Sequence, residues 1–402
     1  MGGAGPVVFH ADADAFFVAC HQAEDASLRG RSMVVAGDPK SRHGVVLSAS
    51  YEARRRGVRN AMPLARARAL DPKVLVIAPD RSLYSTYGRR LAEVFADFSP
   101  RVERLSIDEA WIDMQGGLGP WRGDAAASAR ALKIRVRDEV RVTVSVGVAP
   151  NKYLAKQASD LDKPDGLCLL LDAADVERRL WPLRVGELYG CGAQTARRLE
   201  GLGIVTIGDL AHASPSFVAG VLGSHARRLV ARARGEDDVA VAAEPEEARS
   251  VGAERTLAED LWRDEAAQTI LLSLAEEVAA RLRAMDRDAR RVVLKYKTAR
   301  FRTHTHQRTL SRPTAHAADL YAVACDLWRE RALDEPVRLL GVQAGDLAPR
   351  VRQAVLGEVR RRDHLDAAVD AIRQRFGQAA IRPARLLDTT RRPRGGKGGE
   401  RT

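Results

Sequence analysis

The sequence predicts a multidomain protein in which two α/β regions flank a helical one. Three observations lead to this prediction. The chain has 402 residues, more than a single hydrophobic core usually organises. Between residues 7 and 170, short apolar runs alternate with helical Ala/Arg/Leu stretches. The pattern then becomes helical and glycine-punctuated over 171–238, and a second alternating α/β pattern occupies 250–347.

Strands of the first α/β region are predicted from apolar runs of strand length. Besides the two acidic segments described below, these runs are Met33–Ala36, Val45–Leu47, Val74–Ile77 and Val142–Val146. After the helical region, residues 239–249 include the sequence Glu-Pro-Glu-Glu, so we expect an exposed acidic linker there.

One stretch of the second α/β region has two chemically different faces. The pattern over 293–304 predicts a single strand in which Lys295 and Lys297 alternate with Leu294 and Tyr296. A basic sheet face suits a phosphate backbone, although an ordinary solvated face would have the same pattern.

The net charge of the chain points to a polyanionic partner. The formal charge is +12 and the pI is about 9.9, which favours binding to nucleic acid or to a charged membrane surface. Lysine supplies only nine of the 65 basic residues, and three of the nine lie between Lys152 and Lys163, a clustering that suits phosphate binding. From about residue 389 the chain is basic and rich in glycine, so we expect a disordered tail.

The four cysteines are far apart and form no C-x-x-C pair, so neither a zinc site nor a disulfide framework is indicated. Reduced thiols in the cytoplasm fit this pattern. The N-terminal residues lack a basic segment followed by an apolar one, and no apolar stretch reaches about 18 residues. We therefore expect a protein that is neither secreted nor membrane-spanning.

Three acidic residues interrupt apolar, strand-like segments. Asp12 follows the run Val7–Ala11, and the pair Asp108 and Glu109 stands within a second run. Burying a carboxylate is costly unless a cation compensates it, and three carboxylates can hold two Mg²⁺ ions for in-line displacement at phosphorus. A carboxylate at a strand end is nevertheless more often a helix cap or an ion-pair partner. Asp14 illustrates this alternative, because it precedes an apolar-rich run as the N-cap of a helix would, and it is not counted as a ligand.

Four motifs together resemble, in order and spacing, the signatures of the Y-family translesion DNA polymerases, with the bacterial members as the nearest likeness. The motifs are Asp12–Phe17, Ser48–Arg54, Ser106–Ala110, and Ser145–Lys152 continuing to Ser159–Gly166. The resemblance extends from residue 7 to about residue 347. It implies a right-hand polymerase with palm, short fingers, a helix-hairpin-helix thumb and a C-terminal little finger.

The resemblance assigns each part of the chain to a domain. The palm would comprise 1–21 and 81–170, the fingers 22–80, the thumb 171–238, the linker 239–249, the little finger 250–347 and a C-terminal extension 348–402. The implied activity is template-directed, error-prone addition of deoxynucleotides to a primer 3′-hydroxyl with release of pyrophosphate. Short fingers that enclose the nascent base pair loosely would let lesions pass.

The resemblance makes Asp12, Asp108 and Glu109 the catalytic, metal-binding carboxylates, joined by the backbone carbonyl of Ala13. It implies two Mg²⁺ ions for each active site, with Mn²⁺ as an alternative. Primer–template DNA and deoxynucleoside triphosphates are the implied partners, and a monomer is the implied state.

The nucleotide-binding positions implied by the resemblance are Phe16, Phe17, Ser48, Tyr51, Arg54 and Lys163. The cations among them can neutralise β- and γ-phosphate oxygens, and Tyr51 can add a hydroxyl donor. Phe17 matches the steric gate, where an aromatic ring would clash with a ribose 2′-hydroxyl. Without the motif, Arg54 would be part of a solvated charge run and the two phenylalanines would be ordinary core candidates.

The segment Leu188–Leu199, followed by Leu202–Leu210, resembles the helix-hairpin-helix of the family's thumb. Glycines there let the backbone approach a phosphate, although a lone G-x-G is also common in ordinary turns. The implied DNA-binding residues are Gly190, Gly192, Lys295, Lys297, Arg300 and Arg302.

Departures from the family's pattern remove no ligand. They are Ala11 and Ala13 in place of bulkier residues, Trp111 in place of tyrosine and Tyr189 in place of proline.

Near the C-terminus, Gln353–Gly357 resembles the short peptide that binds the replication sliding clamp, with Gln353 and Leu356 as its anchors. Ala354 replaces a usual leucine, and a match of this length also arises by chance.

Three other classes of protein share parts of this pattern. A catalytically silent, polymerase-like accessory protein would lack the carboxylates that are present here. A nucleotidyl cyclase would need neither a hairpin thumb nor a basic distal sheet. A plain nucleic-acid-binding protein with structural acidic residues would show no metal-dependent chemistry, so primer extension distinguishes it from a polymerase.

Overall fold

A computed structural model of the chain describes residues 6–37, 44–242, 247–262, 264–330, 335–350, 358–377 and 379–386. The chain divides into two units, residues 1–245 and 246–402, which are described separately below. Gln353, Leu356 and the tail beyond residue 389 lie outside the described residues. No described helix has the length and apolar character needed to cross a bilayer.

The first unit contains two sheets. Its strands are β1 (Val8–Ala13), β2 (Met33–Ala36), β3 (Val46–Ala49), β4 (Leu75–Ile77), β5 (Val102–Arg104), β6 (Glu109–Asp113), β7 (Val144–Ala149) and β8 (Leu167–Leu169). Five of them pair in the order β5-β6-β1-β7-β8, and the other three in the order β3-β2-β4. Neighbours are antiparallel except for the parallel pairs β7–β8 and β2–β4.

The helices of the first unit are α1 (Phe16–Glu24), α2 (Tyr51–Arg55), α3 (Leu64–Leu70), α4 (Arg81–Ala96), α5 (Ala125–Arg135), α6 (Lys152–Leu161), α7 (Ala173–Arg179), α8 (Ala193–Glu200), α9 (Ile207–His212), α10 (Pro215–Leu222) and α11 (His225–Ala233). Several begin at a side-chain cap. The oxygens of Ser50, Asp80 and Asn151 accept hydrogen bonds from the first free amides of α2, α4 and α6.

Strand β1 lies at the centre of the five-stranded sheet, and both of its faces are covered. Phe9 and Ala11 pack in one core with residues of α1, α4 and α5, while Val8 packs in another with α6 and α7 to α11. His10 is fully buried on the Val8 face, where its Nδ1 lies 2.8 Å from the Ser159 hydroxyl of α6. Burial on both faces explains why the run before Asp12 is apolar on both faces except at His10.

Two glycines permit the close packing that places the acidic residues. A Cβ at position 147 of β7 would overlap the carbonyl oxygen of Ala155, so α6 rests directly on the sheet. A Cβ at position 88 of α4 would lie 2.6 Å from Cγ1 of Ile107, so α4 packs against the loop before Asp108. Any larger residue would push these elements away from the end of β1.

The second unit is a four-stranded antiparallel sheet with helices. Its elements are β9 (Ser250–Leu261), α12 (Asp264–Ala284), β10 (Arg287–Thr298), β11 (Thr303–Thr314), α13 (Ala317–Arg329), β12 (Val337–Pro349) and α14 (Glu358–Phe376). The strand order is β11-β10-β12-β9. Apolar residues of one sheet face pack on α12 and α13, and ion pairs such as Arg283–Asp370 at 2.6 Å attach α14.

The single strand predicted over 293–304 is wrong. Strand β10 ends at Thr298 and β11 begins at Thr303, and Phe301 in the turn between them has φ 62°. Hairpin turns that need positive φ usually contain glycine or asparagine, so a phenylalanine there left no turn signal in the sequence. The predicted alternation on β10 itself is confirmed, because Leu294 and Tyr296 are buried while Lys295 and Lys297 are on the other face.

Candidate functional site

The three acidic residues meet at one end of the five-stranded sheet. Asp12 on β1 is directly opposite Glu109 on β6 in the strand register. Asp108 precedes Glu109, and its carbonyl oxygen accepts a hydrogen bond of 3.1 Å from the amide of Ala13. Residues that are distant in the chain are thus adjacent because β1 and β6 are paired.

Two lysines compensate this acidic end of the sheet. The Lys156 ammonium lies 2.7 Å from Glu109 Oε2 and 3.2 Å from Asp12 Oδ2. The Lys163 ammonium lies 2.7 Å from the same Asp12 oxygen and 2.6 Å from Asp160. Both lysines come from α6 or the loop after it, the element that Gly147 allows onto the sheet.

The pKa shifts of Asp108 and Glu109 have opposite directions despite the proximity of the two carboxylates. Burial, together with the charges of Asp12 and Glu109, raises the pKa of Asp108. Burial also opposes ionisation of Glu109, but the adjacent His10 and a hydrogen bond from the Lys156 ammonium prevail and lower its pKa to about 2. Burial opposes the charge of Lys163 as well, yet Asp12 and Asp160 raise its pKa.

The donor set fits a hard divalent cation. Ligand atoms of His10, Asp12 and Glu109 lie within 4.8 Å of one another, and burial together with the charges of Asp12 and Glu109 raises the pKa of the adjacent Asp108. Carboxylate oxygens are the ligands that Mg²⁺ and Mn²⁺ prefer. The neutral form of His10 is favoured because burial lowers its pKa.

A cavity of about 290 Å³ opens beside the carboxylates. It brings together nine of the predicted ligand and nucleotide positions, of which eight are Asp12, Ala13, Phe16, Phe17, Ser48, Tyr51, Arg54 and Lys163. Asp108 also lines the cavity, as does Asn60, which the sequence pattern did not indicate. Acidic groups therefore line one part of the wall, and cationic and aromatic groups line other parts.

The aromatic and basic residues of the cavity are arranged in pairs. The Phe17 ring stacks on Tyr84 with centroids 4.3 Å apart, whereas Phe16 is buried in the core. The Arg54 guanidinium lies 4.7 Å from the centroid of the Tyr51 ring and donates a hydrogen bond to the Ala49 carbonyl. Burial, with the nearby Asp14 charge, raises the pKa of Tyr51 to about 12, so its hydroxyl stays protonated at neutral pH.

The interpretation of Asp14 as a cap of the following helix is wrong. The N-cap position of α1 is Ala15, which has a left-handed backbone conformation and no side-chain cap. The Asp14 carboxylate instead points into the unit, where the hydroxyls of Thr143 and Ser145 donate to it at 2.9 and 2.8 Å. Hydroxyl donors from a distant strand outcompete the local amides that a cap would accept.

The predicted hairpin lies between a short helical turn and α8. Gly190 has φ 93°, a conformation that favours glycine, and Gly192 is the N-cap of α8. The buried amide of Gln157 joins the hairpin to α6, because it accepts a hydrogen bond from the Tyr189 amide at 2.8 Å and donates one to the Glu187 carbonyl at 3.1 Å.

The predicted basic residues of the second unit lie on the β10–β11 hairpin. Lys295 pairs with Glu254 of β9 at 2.6 Å. Arg300 and Arg302 are largely exposed and lie 4.0 and 3.8 Å from Glu335. Their charges are thus partly balanced at the surface instead of being gathered into a cavity.

Sequence reasoning missed His10 and Lys156 as neighbours of the carboxylates. The lysine cluster between residues 152 and 163 was a signal for Lys156, because its spacing of four from Lys152 puts both on one face of α6. The two lysines nevertheless have different ion-pair partners, because the Lys152 ammonium pairs with the Glu103 carboxylate at 2.6 Å. Nothing in the sequence distinguishes those partners.

Comparison with known proteins gives two family matches. Residues 11–160 match the impB/mucB/samB family, and residues 248–355 match the C-terminal domain of the same family. Curated relatives include a DNA polymerase IV of Moorella thermoacetica, 41% identical over 93% of this chain and 94% of the relative. A DNA polymerase IV of Bacillus subtilis is 36% identical over 87% of this chain and 84% of the relative.

Solved structures give the same result for the fold. A chimeric Y-family DNA polymerase matches with a TM-score of 0.76 and 26% identity, over 85% of this chain and 99% of the other. An insertion ternary complex of the Dbh DNA polymerase matches with a TM-score of 0.59 and 25% identity, over 84% and 98%. The predicted multidomain α/β fold class is confirmed.

Proposed function

This chain belongs to the impB/mucB/samB family, whose relatives and structural neighbours are Y-family DNA polymerases, and we infer that it is a translesion DNA polymerase. Its substrates are then primer–template DNA and deoxynucleoside triphosphates. The reaction adds a deoxynucleotide to the primer 3′-hydroxyl and releases pyrophosphate.

One observation supports placing the polymerase active site at the end of β1 and β6. Asp12 and Asp108 line a cavity that also contains Tyr51, Arg54 and Lys163. A bound nucleoside triphosphate needs cationic side chains that neutralise its phosphates and carboxylates that hold a divalent metal. A cavity with both kinds of group meets these two needs. A catalytically silent relative would not retain all three acidic residues.

We assign metal binding to Asp12, Asp108, Glu109 and the carbonyl of Ala13. Two Mg²⁺ ions held there, with Mn²⁺ as the alternative, would activate the attacking hydroxyl and steady the leaving group. The carboxylates hold negative charge at the end of β1 and β6, and Lys163 pairs with Asp12 until a polyphosphate competes for its ammonium.

Binding of the nucleotide is assigned to the rest of the cavity. Arg54 and Lys163 are proposed to neutralise the phosphates, and Ser48 to donate a hydroxyl hydrogen bond. The Tyr51 hydroxyl, whose single proton is donated to Asp14 in this structure, would turn to donate it to a phosphate oxygen when the nucleotide binds. Phe17, supported by its stack on Tyr84, is the proposed steric gate against a ribose 2′-hydroxyl. Phe16 supports that gate from the core.

DNA binding is proposed in both units. Backbone amides around Gly190 and Gly192 would bind a phosphate without reading sequence, as helix-hairpin-helix turns do. The cations Lys295, Lys297, Arg300 and Arg302 would bind the backbone through charge.

Several finer assignments accompany the polymerase. We propose the palm, fingers, thumb and little-finger boundaries stated above, a monomeric state and a cytoplasmic location. The four buried, free cysteines fit a reducing compartment. Clamp binding through Gln353 and Leu356 is also proposed, and it predicts that Gln353→Ala abolishes co-elution with the replication sliding clamp.

Primer extension tests the function directly. A labelled primer on a DNA template, with Mg²⁺ and four deoxynucleotides, should be extended by the wild-type protein and not by Asp108→Ala combined with Glu109→Ala. Both proteins should bind the DNA equally. Failure of both to extend, with Mn²⁺ also tried and binding intact, would support the silent accessory protein instead.

A further inference from the structure

Asp14 is a buried carboxylate that the proposed mechanism does not use. It is 5% exposed, lies two residues after Asp12 and lines the same cavity. A carboxylate persists in such a place only where hydrogen bonds or cations compensate its desolvation.

Four donors converge on this carboxylate. The Tyr51 hydroxyl at 3.3 Å and the Ser145 hydroxyl at 2.8 Å donate to Oδ1. The Thr143 hydroxyl at 2.9 Å and the backbone amide of Asp165 at 2.8 Å donate to Oδ2. Each oxygen therefore accepts one hydrogen bond from a residue on or next to β7 and one from another part of the first unit.

The donors outside β7 belong to segments that are far apart in sequence. Tyr51 is the first residue of α2, and Asp165 lies two residues after Lys163. The Ser145 hydroxyl also accepts a hydrogen bond of 3.2 Å from the Gly166 amide. Through Asp14 and Ser145, the loop that carries Lys163 and the helix that carries Tyr51 are tied to the same strand end.

We infer that Asp14 is a positioning residue for the incoming nucleotide, a role that rests on the proposed function. It holds the Tyr51 hydroxyl and the loop after Lys163 at the separation that the triphosphate requires. Asparagine at this position would offer one acceptor oxygen and an NH2 group that only donates, so an amide of equal size cannot satisfy the four donors.

The main test is Asp14→Asn in steady-state incorporation of a single deoxynucleotide. The nucleotide KM should rise about tenfold and kcat should change less than about threefold, because the chemistry of the carboxylate cluster is untouched. Nucleotide affinity measured on a primer ended with a dideoxynucleotide should fall by the same factor, which separates binding from chemistry.

A double-mutant cycle separates positioning from a general loss of packing. If Asp14 acts through Tyr51, Asp14→Asn and Tyr51→Phe should raise KM together by less than the product of their single effects. Ser128→Ala, which alters another buried hydroxyl of the first unit, on α5, should leave KM and kcat unchanged.

Thr143→Val keeps the inference testable if Asp14→Asn does not fold. This isosteric change removes one donor to Asp14 and no residue of the cavity, and should raise the nucleotide KM about two- to threefold at constant kcat. Folding of every variant is checked by circular dichroism melting.

The outcomes are distinguishable. If the wild-type protein extends the primer, an unchanged nucleotide KM in Asp14→Asn, or in Thr143→Val should the first not fold, overturns the inference. A loss of kcat without a change in KM does so as well, and so do multiplicative effects in the cycle. If the wild-type protein does not extend the primer, the proposed function fails and the inference falls with it.

Discussion

The acidic end of the five-stranded sheet and the basic hairpin of the second unit both concentrate charge, but they do so in opposite ways. At the acidic end, partly buried carboxylates share two lysines at distances near 3 Å. On the hairpin, exposed Arg300 and Arg302 lie at about 4 Å from one acidic residue. Chemistry at phosphorus requires each group in place, whereas binding a polymer of phosphates requires only enough positive charge.

This contrast predicts its largest effect for a single ligand. Asp108→Asn keeps the size of the side chain but removes a metal-binding charge, so single-turnover extension should slow by roughly a thousandfold or more. The matched control is Asp124→Asn, the same chemical change at the cap of α5, which should extend primers at the wild-type rate. An Asp108→Asn protein that retained a tenth of wild-type activity would contradict the proposed role.

The second largest effect is expected at the aromatic wall of the cavity. Phe17→Ala should reduce discrimination against ribonucleotides by about a hundredfold, because removal of the ring makes room for the 2′-hydroxyl. The ratio of deoxynucleotide to ribonucleotide incorporation, with both substrates in competition, measures the discrimination. Tyr84→Phe keeps the supporting ring and removes its hydroxyl, so it should leave discrimination unchanged. Unchanged discrimination in Phe17→Ala would show that Phe17 is not the steric gate.

The basic hairpin should show a smaller, distributed effect. Lys295→Ala with Lys297→Ala should weaken DNA binding several-fold and reduce the dependence of log affinity on log salt by about 0.9 for each phosphate that is no longer neutralised. At saturating DNA, kcat should not change. The control is Arg329→Ala, which removes a charge from α13 on the other face of the sheet and should leave the salt dependence unaltered. If the Lys295→Ala, Lys297→Ala protein and the Arg329→Ala protein had equal slopes of log affinity against log salt, the lysine face would not be a DNA-binding face.

The smallest effect is expected where α14 attaches to the second unit. His316 pairs with Asp366 at 2.7 Å, and this hydrogen bond, opposed by burial, raises the pKa of His316. A raised pKa stabilises the folded state below the ordinary histidine pKa of about 6.5, and this contribution is lost as pH rises through the folded value.

The free energy of unfolding should therefore fall by less than about 1 kcal/mol above pH ~6.5, because burial offsets part of the favourable pairing with Asp366. Denaturant unfolding of the full chain at several pH values measures this decrease. His316→Gln should abolish it, and a decrease of the same size in that variant would assign the pH dependence to other groups.

Several features were predictable because they depend on local pattern. The apolar runs predicted strands near the observed β2, β3, β4 and β7, since strand formation follows from apolar spacing. The alternation of Lys295 and Lys297 with buried residues was predictable for the same reason. Motifs of residue type and spacing indicated the acidic ligands and the family.

Other features could not be predicted because their determinants are distant in sequence. Asp14 has the sequence context of a helix cap, yet its donors come from residues 143 and 145 and from the amide of residue 165. The turn at Phe301 has no local signal, because its positive φ is the conformation that glycine or asparagine usually adopts in such turns. The local sequence around Asp14 indicates a helix cap, but it carries no information about the distant hydrogen-bond donors that folding brings to this carboxylate.

The sequence by itself thus determined which chemistry is available: carboxylates interrupting apolar strands, lysines clustered after β7, and aromatic residues after Asp12. Only the tertiary structure decided that Lys156 faces Asp12 and Glu109 while Lys152 faces Glu103. It also made Asp14 the common acceptor of four donors. The physical reason is that hydrogen bonds and ion pairs depend on distances of about 3 Å between atoms, which strand register and helix packing establish and sequence spacing does not.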